Sequence, residues 1–282
     1  MRKIAFLTIL TALIMTSCCN QSQKEKAAIA KLDTMFQELY PADEPGAAVL
    51  ILKGDKIVYD KGFGIADLET GAKIDGNTFF NIASVSKQFT AVAMLQLAEQ
   101  GKISLQDPVK KYFPEFQADF FNDITIAHLL SHTSGIGDYR PREDRDFVLY
   151  ATDEQCYKYM ETLDKLHFTP GTEYQYMNPT FQLCYIIIQR VTGQNFEQYM
   201  KDNIFTPAGM DQTVYFSPDK NIPNMSHAYI PVEEKESASN TDSDRTPEAQ
   251  AAAKKQQESA PVIGNWKEYD YGQETFFATK AD

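Results

Sequence analysis

The apolar positions of this chain change period along its length, and each change outlines an element. Ile29, Leu32, Met35, Phe36 and Leu39 recur three and four apart, which predicts an amphipathic helix over Lys26 to Leu39. The stretch from Tyr40-Pro41 to Pro45-Gly46 ends it. Ala47 to Lys53 is then an almost continuous apolar run, the pattern of a strand covered on both faces. Gly54-Asp55 is a two-residue turn, and Lys56 to Phe63 alternates around Ile57 and Tyr59, so the pair predicts a β-hairpin. From Ser84 onward, Phe89, Val92, Met94, Leu95 and Leu97 fall all round the helical wheel as far as a capping Gly101. A helix apolar on every side is predicted to be buried.

Further helices are predicted from about Thr125, over Asp153–Leu163, over Pro179–Thr192 with Gly193 as its cap, and over Asn195–Ile204. Between the hairpin and Gly209 the pattern shows only helices and loops. A hairpin followed by a long helical excursion reads as α+β, with the sheet unfinished. Residues 233–260 differ in kind: they contain no Val, Leu, Ile, Met, Phe, Tyr or Trp, and read as a solvated insert, disordered or loosely helical. Aromatic residues return after Pro261 with Trp266, Tyr269, Tyr271, Phe276 and Phe277.

The first residues read as an address rather than a fold. Arg2 and Lys3 precede an apolar run, Ile4 to Met15, too short to span a bilayer comfortably. Met15-Thr16-Ser17-Cys18 resembles a bacterial lipoprotein signal, which would make Cys18 the lipidated first residue of the mature protein; Cys19 is a competing site, and an ordinary secretory signal is the alternative. Either address implies export to the bacterial cell envelope, with a membrane anchor in the lipoprotein case. The organisation expected is a signal over 1–18, a tether over 19–25 and one domain over 26–282 with the insert at 233–260. Its 282 residues, 43% hydrophobic and 12% aromatic, suffice for a substantial core. The net charge of −12 leaves no basic surplus for phosphates and argues against a nucleic-acid partner. Cys156 and Cys184 read as buried free thiols.

Candidate chemistry sits where the apolar helix begins. Ser84 and Lys87 are three residues apart, so they share a helical face, and an amine one turn from a hydroxyl can serve as its base. A helix-capping serine followed by a solvated lysine explains the same tetrad. A second polar cluster, Tyr176-Met177-Asn178, precedes the helix at Pro179. A phenol beside a cation can act as acid or base, and an asparagine offers both donor and acceptor. A core tyrosine and a helix-capping asparagine explain that pair equally well. The four histidines are dispersed without metal-ligand spacing, no glycine-rich nucleotide motif appears, and no cofactor is implied.

Phe80-Asn81-Ile82-Ala83-Ser84-Val85-Ser86-Lys87-Gln88-Phe89 resembles the nucleophile segment of the serine β-lactamase-related family, which includes class C β-lactamases, D-Ala-D-Ala carboxypeptidases and esterases. Gly101 to Val109, Ile124 to Gly135 and the Pro170-Gly171-Thr172…Tyr176-x-Asn178 element are similar to three further family segments, in the family's order, over roughly Pro45 to Met210. The resemblance implies a β-lactamase/transpeptidase-like α+β fold with a helical domain and an antiparallel sheet. It implies Ser84 as acylated nucleophile, Lys87 and Tyr176 as joint base, and Asn178 as the residue positioning substrate and lysine. The Ser84 N–H would form half of an oxyanion hole. His132 invites a Ser-His-Asp reading, but in the family its His-Thr-Ser-Gly segment is a structural turn.

The family's third motif, Lys or His, a small residue and Gly, has no credible copy after residue 210. The sheet is therefore expected to be incomplete, with the C-terminal strands missing: a truncated product, a piece of a longer chain, or a domain finished by another chain. The function implied is an exported serine hydrolase acting on D-Ala peptides, β-lactams or small esters. The alternative is a catalytically impaired or non-catalytic envelope lipoprotein.

Overall fold

The computed structural model describes residues 23–137, 153–216, 220–231, 262–264, 266–268 and 277–279. The signal segment with Cys18, the insert at 233–260 and the side chain of Cys156 lie outside the described residues. The chain divides into two compact units at Asn77–Thr78.

In the first unit, helix α1 (23–39) lies on a hairpin of β1 (Ala47–Lys53) and β2 (Lys56–Phe63). The hairpin turns at Gly54-Asp55 as expected and pairs Lys53 with Lys56 and Ala47 with Phe63, with one bulge at Ile51/Leu52. Phe36 of α1 sets its ring 5.5 Å from that of Phe63. Asp33 Oδ1 accepts from Tyr59 OH at 2.7 Å and from Lys61 Nζ at 2.6 Å. The expectation of a strand covered on both faces is corrected. The pleat sends alternate side chains outward, leaving Leu50 at 40% and Leu52 at 55% exposure. A second pair, β3 (Ile65–Asp67) with β4 (Ala72–Lys73), closes the unit; elements this short leave no period in the sequence. Gly62 is required here, because a Cβ would stand 2.0 Å from the carbonyl oxygen of Ile74.

The second unit opens with β5 (Phe80–Asn81), a 3-10 turn over Ala83–Ser86, and α2 (Lys87–Glu99). Short helices α3 (Val109–Tyr112) and α4 (Ile126–Leu130) follow, then α5 (Asp153–Glu161), α6 (Pro179–Thr192) and α7 (Phe196–Met200). A single π turn over Lys201–Phe205 continues α7. The central element is α6. It starts on Pro179, whose missing N–H is no loss at a first helical position, and stops at Gly193 in a left-handed conformation, φ 68°. Helices α2, α4, α5 and α7 all pack on it. Around Leu183, Ile187 and Ile188 the core gathers Met94, Leu97, Phe113, Phe116, Phe121 and Leu129, all fully buried. Each such side chain contributes roughly 1.5–3 kcal/mol by leaving water. Cys184 is a free thiol in this core, its pKa pushed up by burial.

Two small sheets complete the unit. Strand β10 (Phe277–Thr279) lies antiparallel between β5 and β6 (Val214–Tyr215), and β9 (Trp266–Glu268) lies between β7 (Tyr229–Pro231) and β8 (Val262–Ile263). The architecture is α+β with small antiparallel sheets, as expected. The strands at 65–67, 72–73 and 80–81 correct the expectation of helices and loops alone after the hairpin. A second correction concerns α2. Thr90, Ala93, Met94 and Leu97 are buried, but Val92 and Leu95 are 45% and 49% exposed, so one side only is covered.

On the flank of α6, Arg190 is tied into the scaffold. Its guanidinium meets Glu115 Oε1 at 2.6 Å, donates to the Tyr112 carbonyl at 2.5 Å and to Tyr157 OH at 3.2 Å, and lies over the ring of Phe113. Burial raises the Glu115 pKa, but the hydrogen bonds from Arg190 and Tyr157 outweigh it and hold the carboxyl at about 2. Among the described residues no helix is long and apolar enough to cross a membrane.

Candidate active site

Ser84 is held by a local device. Leaving β5, the chain turns through Ala83 at φ 45°, a left-handed conformation that costs a non-glycine residue roughly 1–3 kcal/mol. Asn81 stabilises this turn: its Oδ1 accepts from the Ala83 N–H at 2.8 Å. The turn continues as the 3-10 segment, so Ser84 stands one turn before α2 rather than at its cap. The expectation that the helix opens at Ser84 is corrected to this extent. Lys87 is the first residue of α2, and the spacing still puts it beside the serine, with Nζ donating to Ser84 Oγ at 3.1 Å.

Tyr176 and Asn178 arrive from a distant part of the chain. The Tyr176 phenol donates to Ser84 Oγ at 2.7 Å, and Asn178 Oδ1 accepts from Lys87 Nζ at 2.9 Å. Lys87 Nζ also lies 5.1 Å from the centre of the Tyr176 ring and 5.8 Å from that of Phe181. All four residues singled out in the sequence therefore meet around one oxygen and one amine. The commonplace readings do not hold. Asn178 stands at the head of α6 without a side-chain cap bond, because its carboxamide is turned to the lysine. Tyr176 is 46% exposed rather than in the core. The residue at the cap position before α2 is Ser86, which makes no side-chain cap bond either.

The loop that carries Tyr176 is pinned by the His132 segment. Gly171 N–H donates to the Thr133 carbonyl at 2.8 Å, Gln175 N–H to the His132 carbonyl at 3.0 Å, and His167 N–H to the Gly135 carbonyl at 2.8 Å. Gly135, φ 73°, admits the chain of Phe168, whose carbonyl oxygen would lie 2.1 Å from a Cβ there. His132 Nδ1 accepts from the Met177 N–H at 3.1 Å. The histidine is thus bonded to main chain, as a structural turn requires. Burial first, and the Lys87 charge second, hold its pKa below the ordinary histidine value.

Sequence reasoning named neither Phe181 nor Asn81 as part of the site. An asparagine two residues ahead of Ala83 is a local turn signal that was legible; nothing local marks Phe181. Among the described residues no cluster of three or more His, Cys, Asp or Glu side chains is placed to hold a metal ion.

The cluster can be compared with known proteins. Residues 32–260 match the Beta-lactamase family model. The chain is 34% identical over 202 residues to Protein flp of Staphylococcus aureus (strain MW2), an alignment covering 70% of this chain and 39% of that protein. It is 30% identical over 214 residues to penicillin-binding protein 4* of Bacillus subtilis (strain 168), covering 71% and 45% respectively. The octameric penicillin-binding protein homologue from Pyrococcus abyssi superposes with a TM-score of 0.68 at 24% identity, over 90% of this chain and 53% of that one, which shows a shared fold. The chain spans less than half the length of these two curated relatives. With a family model matched over most of its length and the family's motif residues meeting around Ser84, the chain belongs to the beta-lactamase family.

Proposed function

We propose that this chain is a serine acyl hydrolase working through an acyl-serine intermediate. The observation that carries this reading is the convergence on Ser84 Oγ of the Lys87 amine and the Tyr176 phenol, at 3.1 and 2.7 Å. For attack, the joint base starts as a Tyr176 phenolate beside the Lys87 ammonium, and the phenolate oxygen takes the Ser84 Oγ proton as Oγ closes on the acyl carbon. The Oγ–acyl carbon bond forms, the acyl C–N or C–O bond breaks, and Tyr176 returns the proton to the leaving nitrogen or oxygen. Water then attacks the acyl-serine, giving its proton back through the same phenol. Asn178 keeps Lys87 aimed and offers its amide N–H groups to substrate. Substrates of this chemistry are D-Ala peptides, β-lactams or small esters. The name of the Bacillus relative supports the penicillin-like class. The arrangement requires no cofactor.

A second reading, a non-catalytic envelope lipoprotein that keeps the cluster, is favoured by one observation: Tyr176 is 46% exposed. Either protein would be exported and anchored through a lipidated Cys18; Cys18→Ser would then leave the membrane fraction and lose labelling by a fatty-acid analogue, and retention there would count against the anchor.

The test uses the full chain with a fluorophosphonate and a labelled penicillin. Labelling that disappears in Ser84→Ala supports the acyl-serine reading. Folded, soluble protein that takes neither label, or a label that survives in Ser84→Ala, overturns it. Labelling without release of the acyl group selects the second reading.

A further inference from the structure

Met177 stands between Tyr176 and Asn178, is buried, and has its N–H held by His132 Nδ1 at 3.1 Å. Only an unprotonated Nδ1 accepts, so the proton of the neutral ring sits on Nε2. The His132 carbonyl takes the Gln175 N–H, so two bonds from one residue bracket Tyr176. The ring lies 4.6 Å from the Tyr176 ring and 5.2 Å from that of Phe181, with Tyr174 edge-on at 6.0 Å. His132 holds this position at φ 58°, a conformation a non-glycine residue adopts at a cost. The lowered pKa noted above makes the neutral, accepting ring the resident form.

We propose that His132 is the positioning residue of this site: its neutral imidazole holds Met177, and with it Tyr176 and Asn178, against Ser84 and Lys87, and its protonation releases the phenol in acid. Protonation at Nδ1 sets donor against donor at the Met177 N–H. It also creates a second cation in the field of Lys87. Among the described residues, the titratable groups facing the ring are the Lys87 amine from α2 and the phenols of Tyr174 and Tyr176 from the loop that the His132 segment pins; Phe181 of α6 brings no charge. The effect on rate rests on the acyl-serine reading; the clamp itself does not.

Two variants separate the acceptor from the backbone. Asparagine tolerates positive φ and puts a non-titrating Oδ1 near the place of Nδ1, whereas glycine tolerates the conformation and offers no acceptor. In the full chain, the Met177 amide resonance should move with the His132 ring resonances and share their midpoint, below the ordinary histidine value. That movement should be absent in His132→Asn. Labelling of Ser84 by a fluorophosphonate should fall in acid with the same midpoint in the wild type and stay flat in His132→Asn. His132→Gly should label roughly a hundredfold more slowly at every pH, the scale expected from a misplaced reacting group.

A Met177 amide that ignores the His132 titration overturns the proposal. So does an acid limb that persists unchanged in His132→Asn, or a His132→Gly protein that labels as fast as His132→Asn. No labelling in any of the proteins, with the Met177 titration intact, supports the clamp and overturns the acyl-serine reading instead.

Discussion

Arg190 and Lys87 both sit against tyrosines, yet different groups take their hydrogen bonds. Arg190 is answered by a carboxylate. Glu115 neutralises it at 2.6 Å, Tyr157 bridges the two, and the Tyr112 carbonyl takes another N–H. The Lys87 hydrogen bonds described above go to a hydroxyl and a carboxamide, both neutral, and its charge is felt by His132. In both places a cation lies beside a tyrosine; one arrangement is an ion-pair clasp, and the other joins a hydroxyl and a carboxamide from distant parts of the chain. A paired charge lowers its own energy and stays put. Under the acyl-serine reading proposed above, the Lys87 ammonium would stabilise negative charge on the Tyr176 oxygen.

This contrast is open to direct test. The largest expected effect is on Ser84→Ala, which should reduce labelling by roughly ten-thousandfold or more while the melting temperature stays near that of wild type. A coupled loss of stability would show the cluster to be scaffold. Tyr176→Phe keeps the ring and removes the phenol; labelling should fall by roughly a hundredfold to ten-thousandfold, with thermal unfolding little changed. Glu115→Gln should do the reverse. It should destabilise the fold by about 1–2 kcal/mol in urea titrations, because the guanidinium loses its charged acceptor, and leave labelling of Ser84 intact. A slower label in that variant would mean the two clusters communicate.

The smallest effect is the pH dependence of the clasp. The Glu115 carboxyl titrates at about 2 in the fold against 4.5 ordinarily, so the unfolded chain binds the proton more readily. Its contribution to stability is fully present above 4.5 and is lost as pH falls from there towards 2. Glu115→Gln should therefore show a flatter stability profile than wild type between those values. Identical slopes would place the acid sensitivity elsewhere.

Much of this was legible along the chain. Pro179 and Gly193 bracket α6 at the residues expected, since a proline suits a first turn and a glycine a left-handed stop. Gly54-Asp55 set the hairpin turn and its register. Ser84, Lys87, Tyr176 and Asn178 were singled out from motif and order, and the fold brings them together. Other features were not legible because they depend on partners far away. The apolar wheel of α2 promised full burial, yet which faces are covered depends on what packs there; here Val92 and Leu95 stay exposed. The pairing of β10 with β5 joins residues nearly two hundred positions apart, and two- and three-residue strands carry no period.

By itself, then, the sequence determined the elements and the inventory of reactive groups, because turn chemistry and hydrophobic period act over a few residues. Only the tertiary structure decided their use. It set the Asn178 carboxamide against Lys87 rather than on the helix end, and aimed Tyr176 at Ser84 across 92 positions. It also tied His132 to the main chain of Met177. Hydrogen bonds between such distant groups form only when a packed core brings them within 3 Å or so, and no local pattern encodes that meeting.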